Sequence, residues 1–200
     1  MSIVAYPFVV GLKKMALAHA ILALLLDCPF TGYDLTKTFA GSVGSFWKAT
    51  HQQIYRELAK LEEQAWVTVE AIPQVSRPDK KLYSITDLGQ QQFIAWANQP
   101  CDVSAVKEEI LVKVFAGALV GTETICQEIQ RHRQIHTETL ANYHQIEQQF
   151  FANGDRLSSE QTFPYLTLRR GIRYEIDWIE WCDEALGYLR KGEGREAIGK

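Results

Sequence analysis

Gln52, Arg56 and Lys60 recur every four residues within the segment His51 to Glu63, and each carries donors suited to nucleic acid. Amide and guanidinium groups pair with base edges in a major groove, and an ammonium holds a phosphate as a point charge. Ile54, Leu58, Leu61 and Ala65 recur between them at spacings of four, three and four, a helical stripe that must face a core. The three polar side chains therefore point outward. Thr50 followed by Gln53 fits a capping box, which predicts a helix start at about His51.

A basic hairpin follows this helix. Val67, Val69 and Ala71 alternate with Thr68 and Glu70, a period of two, and Leu82, Tyr83, Ser84 and Ile85 make a second short strand. The intervening turn QVSRPDKK sets Arg77, Lys80 and Lys81 against the single acid Asp79, a net charge of plus two. A basic tip of this kind suits phosphate contact without base preference. An ordinary amphipathic helix or an ordinary solvated turn would explain either part alone. Their order, a helix with a polar outer face and then a basic hairpin, is the layout of a winged helix-turn-helix.

Several elements must hold that pair in place. Residues 15–26 read as a buried first helix. Thr31, three residues before Asp34, caps a second helix carrying Leu35 and Phe39, which Gly41 and Gly44 end. Thr86 and Asp87 cap a fourth helix with Phe93, Ile94 and Trp96, closed by Asn98, Gln99 and Pro100. Trp47, Trp66 and Trp96 are read as packing residues of this first domain. The second half is helical by pattern, with helices over 105–120, 123–151 and from about Pro164 to about Arg190. Ile110 and Val114 mark one seam; Leu168, Ile172, Ile176, Ile179 and Leu186 mark a near-heptad seam on the last helix. Long helices with single apolar seams must bury them on each other or on a second chain, so a dimerisation domain is expected; an intramolecular three-helix bundle is the alternative. The fold class is mainly α with a small β-wing. The organisation is an extension over 1–14, a winged helix-turn-helix over 15–100, a helical dimerisation and effector domain over 101–191 and a flexible tail over 192–200.

Charge is distributed to match. Residues 1–100 carry nine Lys and Arg against eight Asp and Glu, whereas residues 101–200 carry twelve against sixteen, for a total of minus three. Any nucleic-acid surface is therefore local to the helix and wing. The four cysteines, Cys28, Cys101, Cys126 and Cys182, form no close pair, which suits a reduced cytoplasmic protein. Lys13 and Lys14 before MALAHAILALLLDC superficially resemble a secretion signal. Asp27 before Cys28, His19 within the apolar run and the shortness of that run argue against it, and no membrane association is expected.

With these residues assigned, the chain resembles the PadR family of transcriptional regulators, in its longer form with a helical C-terminal domain. The resemblance rests on GYDL at 32–35, FWKATHQQIYRELAKLEEQAWVT at 46–68, KKLYSITDLGQQQFIAWAN at 80–98, VKEEILVKVF at 106–115 and LRRGIRYEIDWIEWCDEAL at 168–186. It covers about the whole chain after residue 14 and is loosest over 120–160. It implies a homodimer that binds a two-fold symmetric double-stranded DNA operator and usually represses. In some members a small aromatic acid bound between the domains releases the DNA. Carried over residue by residue, it implies DNA contacts from Lys48, His51, Gln52, Tyr55 and Arg56 at the recognition helix and from Arg77, Lys80, Lys81 and Tyr83 at the wing. The extension MSIVAYPFVVGLKK departs from the family pattern.

His132 and His136 lie four residues apart on one helical face, a spacing that can hold a metal, with Glu128 one turn earlier. No third ligand is evident beyond His144, which sits well round the helix, so no metal and no cofactor is expected. The same histidines, with Trp178, are the candidates for recognising an effector carboxylate. No nucleophile elbow, phosphate-binding glycine loop or close acid pair supports an enzyme. The competing reading is a winged-helix protein-interaction module, or a regulator without a small-molecule effector; the basic wing favours DNA.

Overall fold

The computed structural model describes residues 16–41, 47–75, 79–101, 103, 107–152 and 157–196, the last six as backbone only. Contacts divide the chain into two compact units, Met1–Val103 and Ser104–Lys200.

In the first unit, helices α1 (Ala16–Leu25), α2 (Gly32–Gly41) and α3 (His51–Glu63) precede strands β2 (Val67–Ile72) and β3 (Lys80–Ile85) and helix α4 (Asp87–Ala97). A two-residue strand β1 (Phe30–Thr31) pairs antiparallel with β3, giving the strand order β1-β3-β2. Ile21 and Leu22 of α1, Leu35 and Phe39 of α2, and Ile54, Leu58 and Leu61 of α3 close one core with Val67 and Tyr83. At the end of α3, Trp66 N–H donates to the Leu61 carbonyl at 2.9 Å and Ala65 N–H to that of Glu62 at 3.0 Å. This double bond pattern is a Schellman stop. Ala65 takes the left-handed position with φ of 56°, where glycine is the usual residue. α4 starts at the Thr86 hydroxyl, which accepts from Gly89 N–H at 2.9 Å and donates to the Ala65 carbonyl at 2.8 Å. Cap and wing base are thus tied together.

The second unit contains α5 (Glu109–Phe115), α6 (Gly117–Val120), α7 (Thr122–Phe150) and α8 (Ser159–Glu196). The single helix expected over 105–120 is broken: Ala116 leaves helical geometry at ψ of 13°, and a new turn begins at Gly117. α8 starts before Pro164 and remains helical to Glu196, beyond the stop expected near Arg190 and into the tail expected from residue 192. Pro164 lies inside α8, past its first turn, so the helix lacks there the bond an amide would make to the Glu160 carbonyl. Ile110, Ile125, Ile129, Trp178, Cys182 and Leu186 form the core of this unit. No helix among the described residues is long and apolar enough to cross a membrane.

Candidate nucleic-acid interface

Thr50 sets the start of α3 through both halves of the capping box: its hydroxyl accepts from Gln53 N–H at 3.2 Å, and the side-chain amide oxygen Oε1 of Gln53 accepts from Thr50 N–H at 2.8 Å. With the helix phase set by the cap and by buried Ile54, Leu58 and Leu61, the turn of about 100° per residue puts Gln52 and Arg56 on the opposite side. Both are exposed, as are Lys48, His51 and Tyr55. Lys60 instead lies back on its own helix, 2.8 Å from Glu57.

Tyr55 lies on the flank that faces the start of α2. A Cβ on Gly32 would stand 2.7 Å from its ring, so the missing side chain of Gly32 is what lets the phenol lie there. Tyr55, Tyr33, Gly32, Ala59, Lys80 and Lys81 line a groove of about 730 Å³ between α2, α3 and β3. Lys80 and Lys81 were expected in the turn; they are the first residues of β3, paired with Ile72 and Ala71. Lys81 stands 3.7 Å from Glu62 of α3, with both side chains largely exposed, a pair of little strength that a phosphate can displace. Tyr83 and Asp79 also line the Tyr55 groove; most of the Tyr83 side chain packs into the core, which leaves only 5% of it exposed. Burial, with Glu62 and Tyr55 beside it, pushes its phenol above the ordinary range. Arg77 lies outside the described residues.

In the second unit, Ile110, Ile172 and Leu186 are buried within the chain, at 2%, 1% and 5% exposure. The periodicity marked a seam correctly but could not say that α5, α7 and α8 cover it for one another. Val114, Leu168, Ile176 and Ile179 are half-buried. Among the exposed apolar side chains of this unit, Val112, Phe115 and Leu119 stand out on α5 and α6 at 70%, 94% and 92% exposure. Phe115, five residues after buried Ile110, lies about 140° round α5 from it and so faces away from the core.

His132 and His136 pack on Trp178. The His136 ring lies 4.8 Å from the indole at 6°, and the His132 ring 5.9 Å away at 29°. His136 Nδ1 is 2.5 Å from the buried Glu175 carboxylate. These side chains fill each other's space, and none of them lines the Tyr55 groove or the cavity of about 550 Å³ bordered by Lys113, Gln127, Glu128 and Arg131. Among the described residues no group of three or more His, Cys, Asp or Glu is placed to hold a metal ion.

Residues 21–95 match the transcriptional regulator PadR-like family, and residues 106–190 match the virulence activator alpha C-terminal domain. The Mycobacterium tuberculosis protein named probable transcriptional regulator Rv1176c is 34% identical over 187 residues, covering 88% of this chain and 99% of the relative. The chain belongs to the PadR family. It is accordingly a transcriptional regulator and not an enzyme. Among solved PadR-like folds, the Vibrio cholerae virulence activator AphA is 36% identical with a TM-score of 0.73, over 88% of this chain and 99% of that one. Bacillus subtilis PadR in complex with operator DNA is 26% identical with a TM-score of 0.76, over 86% and 98%. That protein is also solved in complex with p-coumaric acid, at 25% identity, a TM-score of 0.71 and coverage of 87% and 98%.

Proposed function

We propose that this PadR-family regulator binds a two-fold symmetric DNA operator as a homodimer and represses from it, with operator affinity modulated by a small aromatic acid. The observation that carries the reading is α3: Gln52 and Arg56 stand exposed opposite Ile54, Leu58 and Leu61, beside a groove edged by Lys80 and Lys81. In the proposed complex Gln52 and Arg56 read bases, and Lys48, Lys80 and Lys81 hold phosphates. Arg77 and His51 add contacts at the wing and the helix start, and Tyr55 bonds the backbone from the groove.

A second copy of the chain fits the uncovered face of Val112, Phe115 and Leu119, since monomers seldom leave adjoining large apolar side chains in water. Half-buried Leu168, Ile176 and Ile179 would extend such an interface along α8. A two-fold dimer sets its two recognition helices about 34 Å apart, or a multiple of that, to enter successive major grooves on one side of the duplex. The effector part of the proposal draws on the relative solved with p-coumaric acid. Fluorescence anisotropy of duplex DNA from the gene's own upstream region, against a shuffled duplex, tests the whole reading. Tight binding to the native duplex alone, weakened by salt and by p-coumaric acid, is the expected result. Equal binding to both duplexes contradicts an operator reader.

A further inference from the structure

Between α7 and α8 the second unit holds a polar, aromatic cluster where its neighbours hold aliphatic side chains. His132 and His136 stack on Trp178, whose indole also meets Tyr174 and Trp181 edge-on. The side chains of His132, His136 and Glu175 are 22%, 15% and 8% exposed, so a charge placed here is only partly hydrated.

The surrounding charges treat the two imidazoles differently. From α8, Glu175 faces His136 directly at 2.5 Å. His132 has a carboxylate only in Glu128 of its own helix, at 3.8 Å. That carboxylate is already held by Arg131 at 2.9 Å and by Lys113 of α5 at 3.1 Å, which bring it down to about 2. Glu108, just ahead of α5, bonds the Tyr174 hydroxyl at 3.2 Å. On the far flank Arg133 and Asp183 pair with each other at 2.6 Å. A proton on His132 therefore arrives beside Arg131 and His136, with its nearest carboxylate already doubly bonded. Burial first, then Arg131, holds this imidazole below its ordinary range, although Glu128 and Glu108 oppose them. The 22% of the His132 side chain that remains exposed lets solvent reach the ring.

We infer that the His132–His136–Trp178 stack is a proton-sensitive latch on the α7–α8 seam: as pH falls, proton uptake by His132 loosens the two helices and weakens operator binding. The link to operator binding rests on the dimeric operator reading, because α7 and α8 belong to the unit that pairs the two chains there. The seam itself does not depend on it.

The test compares the full-length parent with His132→Phe, which keeps a flat ring on Trp178 but takes no proton, and with His132→Gln in case the first variant fails to fold. Operator affinity by anisotropy and melting temperature are both measured at about pH 7.5 and about pH 5.5, which bracket the free histidine range. The latch predicts that acid weakens parental operator binding about tenfold and lowers its melting temperature, while both variants lose clearly less of each. Equal losses in parent and variants, or an unchanged parent, overturn it. If no duplex binds specifically at the higher pH, the operator reading has failed and the melting temperatures alone decide: a smaller acid-induced drop in the variants upholds the seam latch, and an equal drop removes it.

Discussion

In the proposed complex Arg56 reads a base, because its guanidinium stands exposed opposite the buried stripe of α3 and can pair two acceptors of one guanine. Arg56→Ala should cost about 1 to 3 kcal/mol of operator affinity and little affinity for unrelated DNA. Anisotropy on matched and shuffled duplexes reads both numbers. Residue-scale expectations from the sequence succeeded where a local bond decides the outcome: the Thr50–Gln53 box and the Thr31 and Thr86 caps all form in the structure. They failed where a long-range contact decides. The family resemblance placed Tyr83 among the wing contacts; in the sheet it sits opposite Val69 with most of its side chain against the α3 core, which leaves 5% of it exposed.

At the scale of elements, the junction between α3 and the wing is the tightest joint of the first unit. Ala65 holds a left-handed φ of 56° inside the Schellman stop, a conformation that costs an L-residue about 1 kcal/mol relative to glycine. Ala65→Gly should therefore raise the stability of the chain by up to about 1 kcal/mol, seen as a higher midpoint in urea. Gly89 shows the opposite case: a Cβ there would meet the Trp66 carbonyl oxygen at 2.2 Å, so α4 would have to lift off the wing base. Gly89→Ala should cost about 1 to 3 kcal/mol by the same measurement. Neither joint was legible in the sequence, since one is an alanine where a glycine is expected and the other a glycine inside a helical pattern. β1 was equally hidden, because two residues, Phe30 and Thr31, show no alternation. The break at Ala116 was masked by an apolar pattern that runs through it, with Gly117 the one available hint.

For the whole molecule, the proposal assigns reading to the first unit and association to the second, in line with the distribution of charge and apolar surface. Phe115 is 94% exposed, so Phe115→Glu should leave the fold intact while shifting a dimer to monomer, which light scattering after gel filtration would show. Stability should also depend on pH with a definite sign. His132 is held below its ordinary range, so the unfolded chain takes the proton first, and its contribution is present above about pH 6.5 and lost as pH falls below it. Glu128, Glu147 and Asp183 are held below the usual carboxylate range, so their contributions persist until pH falls below about 4. Thermal melts across pH should thus show a first decline near the histidine range, removed by His132→Phe, and a second in the carboxylate range that remains. Two copies of this chain reading one symmetric operator, as proposed, would leave a characteristic hydroxyl-radical footprint on the gene's own upstream DNA. Two matched protected patches, related by two-fold symmetry and separated by one helical turn or a whole multiple of it, are the predicted result, whereas a single unsymmetric patch or uniform cleavage would contradict it.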